Sequence, residues 1–189
     1  CYYCTQGLLL IDNNSKYNRL NSYNIYGETF YKLYITNNII HSIIIILKSS
    51  GKKYILSMAV HHLLSCYSYF YAMISKNCLY YALLDGLCEF TVIPLNNIYL
   101  FKLLKIDNKF INKLNSIVLF TSWIFLRLSL FPYWIYYYIL DYNYIDKNMN
   151  IFYTLNFNLF VNILLLILSI IWFIPIHQGL IKTLKNKHT

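Results

Sequence analysis

The sequence predicts an all-α fold, a polytopic membrane helical bundle with about five transmembrane helices in this chain. Three observations carry that expectation. Of the 189 residues, 58% are apolar and only 12% are charged. The charges are also unevenly placed: none falls in Tyr54–Ser75 or in Asn148–Ile181, and Arg127 is the only one between Lys113 and Asp141. Finally, about 20 mostly apolar residues cross the ~30 Å hydrocarbon core of a bilayer. A soluble helix of that length needs a polar face, which these runs lack.

Five spans are expected in order. The first, Phe30–Leu47, is the weakest, because it carries Lys32, Asn37 and Asn38. Tyr54–Ile74 is charge-free and contains the adjacent pair His61 and His62. Leu79–Phe101 carries Asp85 and Glu89 within it. Asn115–Ile139 is centred on Arg127. Ile151–Leu180 is long enough to tilt, and Pro175 is expected to kink its end. Abundant tyrosine (21 residues) suits interfacial belts near span ends. The Asn-rich tracts read as nucleotide bias and are given no specific meaning.

Lysines accumulate in alternate loops. Lys48, Lys52 and Lys53 precede the second span, Lys102, Lys105, Lys109 and Lys113 follow the third, and Lys182, Lys185 and Lys187 end the chain. The intervening loops hold only Lys76 and Lys147, and the N-terminal segment holds Lys16 and Arg19. The positive-inside rule then places the lysine-rich loops and residues 182–189, a basic tail, in the cytosol, and residues 1–29 on the lumenal or extracellular side. The net charge of +9 is therefore a topology signal, and no nucleic-acid partner is expected. The closing "KNKHT" resembles a dilysine retrieval signal of endoplasmic reticulum membrane proteins and reads equally as a basic membrane-flanking tail. "NNS" at Asn13 is a glycosylation sequon on the lumenal side.

Ionisable groups at membrane depth normally face a bundle interior or a wet cavity. At 1.5 Å per residue, His61 lies roughly 10 Å from the cytosolic end of its span, and Glu89 and Arg127 each lie roughly 18 Å deep on consecutive helices. Buried alone, either charge is costly, so the two are expected to face each other. Asp85 and Glu89, four apart, share a helix face. His61 and His62 diverge by about 100°, so one is expected to reach a polar cavity while the other meets a neighbouring helix. Two readings of this cluster stay open: interhelical glue, or a site that binds or transforms a lipid.

Metal and cofactor chemistry finds little support. The five histidines lack the HxxxH and HxxHH spacings of membrane di-iron enzymes, and no GxSxG, HExxH or glycine-rich phosphate loop occurs. Cys1 and Cys4 form a CxxC without a second pair, and the other cysteines sit in or beside spans as small hydrophobes. No metal or cofactor is expected. Nor is a channel or transporter, since no inverted repeat appears.

Four ordered stretches resemble the TLC family (TRAM, LAG1 and CLN8 homology): "HHLLSCYSYFYAM", "LLDGLCEFTVIPLNN", "FLRLSLFPYW" and "IPIHQGLIKTLKNK". Glu89, Thr91, Pro94 and Asn97 are the counterparts in the second stretch, and Arg127 and Pro132 in the third. Residues 30–181 would form the TLC-type transmembrane domain. The pattern is nearest to TLC domain-containing 4 proteins. The family has a further helix before Phe30, so the resemblance implies an N-terminally truncated chain. It also implies membrane lipids as partners, a role in lipid binding, sensing or lipid homeostasis, and an endoplasmic reticulum location; a homo-oligomer is compatible. The alternative it offers is a ceramide synthase-like sphingoid-base N-acyltransferase with acyl-CoA as substrate. His61, His62 and Glu89 would then be catalytic, and Asp85, Arg127 and Asn97 would be polar groups of the lipid cavity. One departure stands out: where ceramide synthases carry two Asp three residues apart, this chain has Glu89 and Val92.

Overall fold

A computed structural model describes residues 1–48, 52–142 and 149–185. Among them there are helices and no strands. Two short helices, α1 (Tyr2–Leu9) and α2 (Lys16–Asn21), precede the long α3 (Ile25–Lys48) and α4 (Lys52–Ser75). Next come α5 (Leu79–Gly86), α6 (Val92–Leu103), α7 (Lys109–Trp123), α8 (Leu130–Tyr142) and α9 (Met149–Lys185). Helices α5 and α6 form one rod through a 3-10 stretch at Leu87–Thr91, and α7 and α8 form another through a π-helical stretch at Ile124–Ser129. With α3, α4 and α9 this makes five rods at the five expected spans. The loop residues 143–148, which carry Lys147, and the Lys187 end of the basic tail lie outside the described residues.

Local chemistry sets the boundaries. Ser15 caps α2 by accepting from the Asn18 amide (3.3 Å), and Asn108 caps α7 by accepting from the amides of Phe110 and Ile111 (3.0 and 3.1 Å). Between α4 and α5 the chain reverses through left-handed Lys76 and Cys78, and the Cys78 amide donates to the Leu20 carbonyl at 2.7 Å. Helix α9 continues through Pro175.

Two stretches, Lys109–Tyr142 and Asn156–Lys185, are long and apolar enough to cross a membrane. Only 28% and 22% of their most apolar windows are buried within the molecule, whereas the core helix of a soluble protein would be mostly buried. Their outward faces present Phe125, Tyr136, Ile163, Ile167, Ile170 and Ile174. The other rods are less apolar for visible reasons. Glu28, Lys32 and two asparagines dilute α3, His61, His62 and several Ser and Tyr dilute α4, and the 3-10 stretch interrupts α5 and α6.

Tyrosine also builds the interior. Tyr31, Tyr34, Tyr69, Tyr80, Tyr81 and Tyr138 are buried in one aromatic core with Phe30 and Trp134. Residues 1–29 pack against that core. Cys4 is fully buried and its thiol donates to the Leu83 carbonyl (2.9 Å), and the Asn24 side-chain amide donates to the Gly7 carbonyl (3.0 Å). The approach needs glycine: a Cβ on Gly7 would stand 2.8 Å from Leu83 Cδ1, and one on Gly27 would enter the Leu79 side chain.

The firmest tie of this segment is ionic. Arg19 on α2 meets Asp141 at the end of α8 through two parallel bonds, Nε to Oδ2 (2.7 Å) and Nη2 to Oδ1 (2.6 Å), with side chains only 5% and 1% exposed. The Tyr81 hydroxyl donates to Asp141 Oδ2 (2.5 Å), and Arg19 Nη1 donates to the Asn13 carbonyl. These bonds to the carboxylate push the Arg19 pKa up, so its charge is permanent.

Candidate functional site

The rods surround a narrow cavity that is partly open to the outside. Each of the five supplies polar lining: Tyr34 from α3, His61, Ser65 and Ser68 from α4, Asp85 and Glu89 from the α5–α6 rod, Arg127 from the π stretch and Asn158 from α9. The remaining lining is largely apolar or aromatic, including Tyr69, Phe131, Trp134, Val161 and Leu165. A mostly apolar pocket with a few converging polar groups is the usual form of a small-ligand site.

The two irregular stretches aim the charged groups. From Leu87 to Thr91 the tighter 3-10 winding brings successive side chains to about 120° instead of 100°, rotating Glu89 relative to Asp85. The π stretch has a cause in the sequence: Pro132 has no N–H, and its ring crowds the carbonyl four residues earlier, that of Leu128. The wider π turn relieves this crowding. The Cys88 thiol donates to the Leu126 carbonyl inside the turn at 2.7 Å. Arg127 emerges from it nearly buried. Its Nε donates to Thr91 Oγ1 (2.9 Å), and its guanidinium carbon lies 4.6 Å from the centre of the Trp123 ring. Trp123 is itself held by Nε1 donating to the Ser169 carbonyl (3.0 Å) on α9.

Glu89 and Arg127 thus share the cavity, but no ion pair joins them among the described residues, and the expected direct pairing is corrected accordingly. Equal depth places two groups at one level of the bundle. It does not set their direction around each helix, and here the guanidinium turns toward Thr91 and Trp123. Asp85 takes a different partner: its Oδ2 accepts from Asn162 Nδ2 (3.1 Å), while its buried Oδ1 has no partner.

The histidines part company. His61 lines the cavity, edge-on to Trp172 with ring centres 5.6 Å apart, and its Nδ1 is buried without a partner. His62 turns to α3, where its Nε2 lies 3.1 Å from Nδ1 of His41. Asn97, expected among the polar groups of the lipid cavity, is not one of its lining residues, and that expectation is corrected. It donates to Asn115 Oδ1 (3.2 Å), and Asn115 donates to the Pro94 carbonyl (2.9 Å), a polar clasp between α6 and α7. A double-mutant cycle on His41→Ala and His62→Ala should give a coupling of about 0.6 kcal/mol in chemical unfolding, the usual scale for interhelical hydrogen bonds in membranes.

Sequence reasoning missed Asn158 and Asn162, set aside with the Asn-rich tracts. Their signal was the helical period: Asn158, Val161, Asn162, Leu165 and Ser169 make one buried stripe of α9. No group of three or more His, Cys, Asp or Glu that could hold a metal ion occurs among the described residues.

A family model, the TLC domain (TRAM, LAG1 and CLN8 homology), matches residues 2–178. No curated protein and no solved structure gives a significant match.

Proposed function

Taking as premise that the chain belongs to the TLC domain family, we propose that it is a lipid-handling membrane protein whose bundle cavity binds a lipid, for sensing or for membrane lipid homeostasis. The observation that carries this reading is a mostly apolar pocket, with a few converging polar groups, inside a bundle with an apolar exterior. Tyr34, Tyr69, Val161 and Leu165 would contact the chain of the lipid, and His61, Asp85, Glu89 and Arg127 its polar group. Nearness to TLC domain-containing 4 proteins and residence in the endoplasmic reticulum with a cytosolic C-terminus belong to the same proposal. They are supported by the ordered motifs and by lysines gathered at one end of the rods, Lys102–Lys113 and Lys182–Lys185.

Photo-crosslinking tests the binding. Purified protein in lipid nanodiscs is exposed to a photoreactive long-chain lipid, and labelled peptides are mapped. Labelling should fall on α4, α5 and α9, and Leu165→Trp, which fills the cavity, should reduce it about tenfold, the equivalent of ~1.4 kcal/mol of binding. Unchanged labelling in a well-folded Leu165→Trp protein would count against a lipid in this cavity.

A second reading, ceramide synthase-like N-acylation of a sphingoid base by acyl-CoA, is favoured by one observation: His61 and Glu89 line the same cavity. In it His61 serves as base or acyl acceptor and Glu89 orients the amine. His62, engaged with His41, has the lesser part. Acyl transfer by the purified protein that is lost in His61→Ala would favour this reading over binding alone.

A further inference from the structure

Helix α3 leaves one face uncovered. Phe30, Tyr31 and Tyr34 enter the aromatic core, and Tyr34 also lines the cavity. Leu33, Asn37, Ile40, Ile44 and Leu47 are exposed. These five follow one another at intervals of 4, 3, 4 and 3 residues, so they form a single stripe along the helix. The spacing is that of a coiled-coil seam, with Asn37 and Ile44 at the first heptad position and Leu33, Ile40 and Leu47 at the fourth.

Asn37 is the odd member of the stripe. It stands at the middle of the 24-residue α3, and its side-chain amide takes no hydrogen bond among the described residues. The next polar side chains along the helix are engaged. Asn38 donates to the Tyr34 carbonyl (3.1 Å), Ser42 donates to the Asn38 carbonyl (2.7 Å), and His41 meets His62. Lipid tails suit the leucines and isoleucines of the stripe but offer an amide neither donor nor acceptor. An outward asparagine at this depth therefore indicates a facing helix that supplies both.

We infer that a second copy of the chain docks on this stripe, α3 against α3 about a two-fold axis along the membrane normal. Copies of a membrane protein share one orientation in the bilayer, so the two helices meet in parallel, and each residue of the seam faces its own counterpart. Asn37 then meets Asn37 of the partner subunit. A carboxamide is self-complementary, because each nitrogen donates to the other oxygen, and two reciprocal bonds form. β-Branched Ile44 at the first heptad position with Leu33 and Leu47 at the fourth favours two strands, and a single asparagine at the first position fixes their register. The inference does not depend on what the cavity binds.

Energy transfer between donor-labelled and acceptor-labelled copies in proteoliposomes tests it. Transfer should exceed that of randomly placed copies, and Asn37→Leu should move its midpoint to an about tenfold higher protein-to-lipid ratio, as expected for two lost interhelical hydrogen bonds. Cross-linking tests the geometry. Ile39 and Ile40 are 51% and 52% exposed, but only Ile40 lies on the stripe. In a Cys1→Ser background, Ile40→Cys should give a disulfide-linked dimer under mild oxidation, and Ile39→Cys should not. Ile44→Cys, also on the stripe, is the second variant if Ile40→Cys fails to fold. Transfer at the random level, a midpoint unmoved by Asn37→Leu, or equal cross-linking on and off the stripe would each overturn the inference.

Discussion

Arg19→Ala should lower the unfolding free energy by about 3–5 kcal/mol, the cost of removing one partner of a buried ion pair. The mechanism is direct. Asp141 keeps the Tyr81 hydroxyl but loses both guanidinium bonds, and its side chain is only 1% exposed, so water cannot replace them. Asp141→Ala should cost a similar amount, because Arg19 would be left with the Asn13 carbonyl. The double variant Arg19→Met/Asp141→Leu should be far less destabilised than the two singles added together, since neither charge is then stranded. Urea unfolding in detergent measures all three. Single-variant losses below about 1 kcal/mol, the range of exposed pairs, would mean that water reaches this pair in solution. Limited proteolysis gives a local reading as well: Arg19→Ala should expose residues 1–29 to cleavage, because the pair ties α2 to α8.

Trp134→Ala should cost about 3–5 kcal/mol, the range for a large aromatic side chain removed from a packed core. Trp134 is 1% exposed, stacked on Tyr138 at 5.2 Å and 9°, and edge-on to Tyr81 at 5.3 Å. Its Nε1 also donates to the Tyr81 carbonyl (3.0 Å), joining α8 to α5. In a bilayer most of this loss is packing, since lipid tails leave little hydrophobic drive between helices and the lost dispersion contacts have no replacement. Trp134→Phe keeps a stacked ring and forfeits the hydrogen bond, so it should cost clearly less. Near-equal losses for the two variants would assign the effect to the hydrogen bond and count against the packing account.

Much of the helical framework was legible. Runs without charge marked α4 and α9, and Leu79, taken as the start of the third span, is where α5 begins. The divergence of His61 and His62 follows from 100° per residue, and the structure turns one to the cavity and the other to His41. Position around the helix was less legible for Glu89 and Arg127. Counting residues gave their depth, but the 3-10 stretch and the π turn change the angular phase, and neither announces itself in a hydrophobic pattern. Pro132 was the available clue to the π turn. Asn158 and Asn162 were hidden by composition, in a chain where asparagine is common throughout.

The sequence by itself determined the helical membrane architecture, the order of the rods and the family, because those depend on runs of residues and on ordered motifs. Only the tertiary structure decided which polar groups meet. Arg19 and Asp141 lie 122 residues apart, and no periodicity links them. Asp85 finds Asn162 across 77 residues, while Glu89 and Arg127, matched in depth, form no ion pair with each other among the described residues. A hydrogen bond needs its two atoms within about 3 Å and aligned. That condition depends on side-chain direction and helix phase, which the packing of the whole bundle sets.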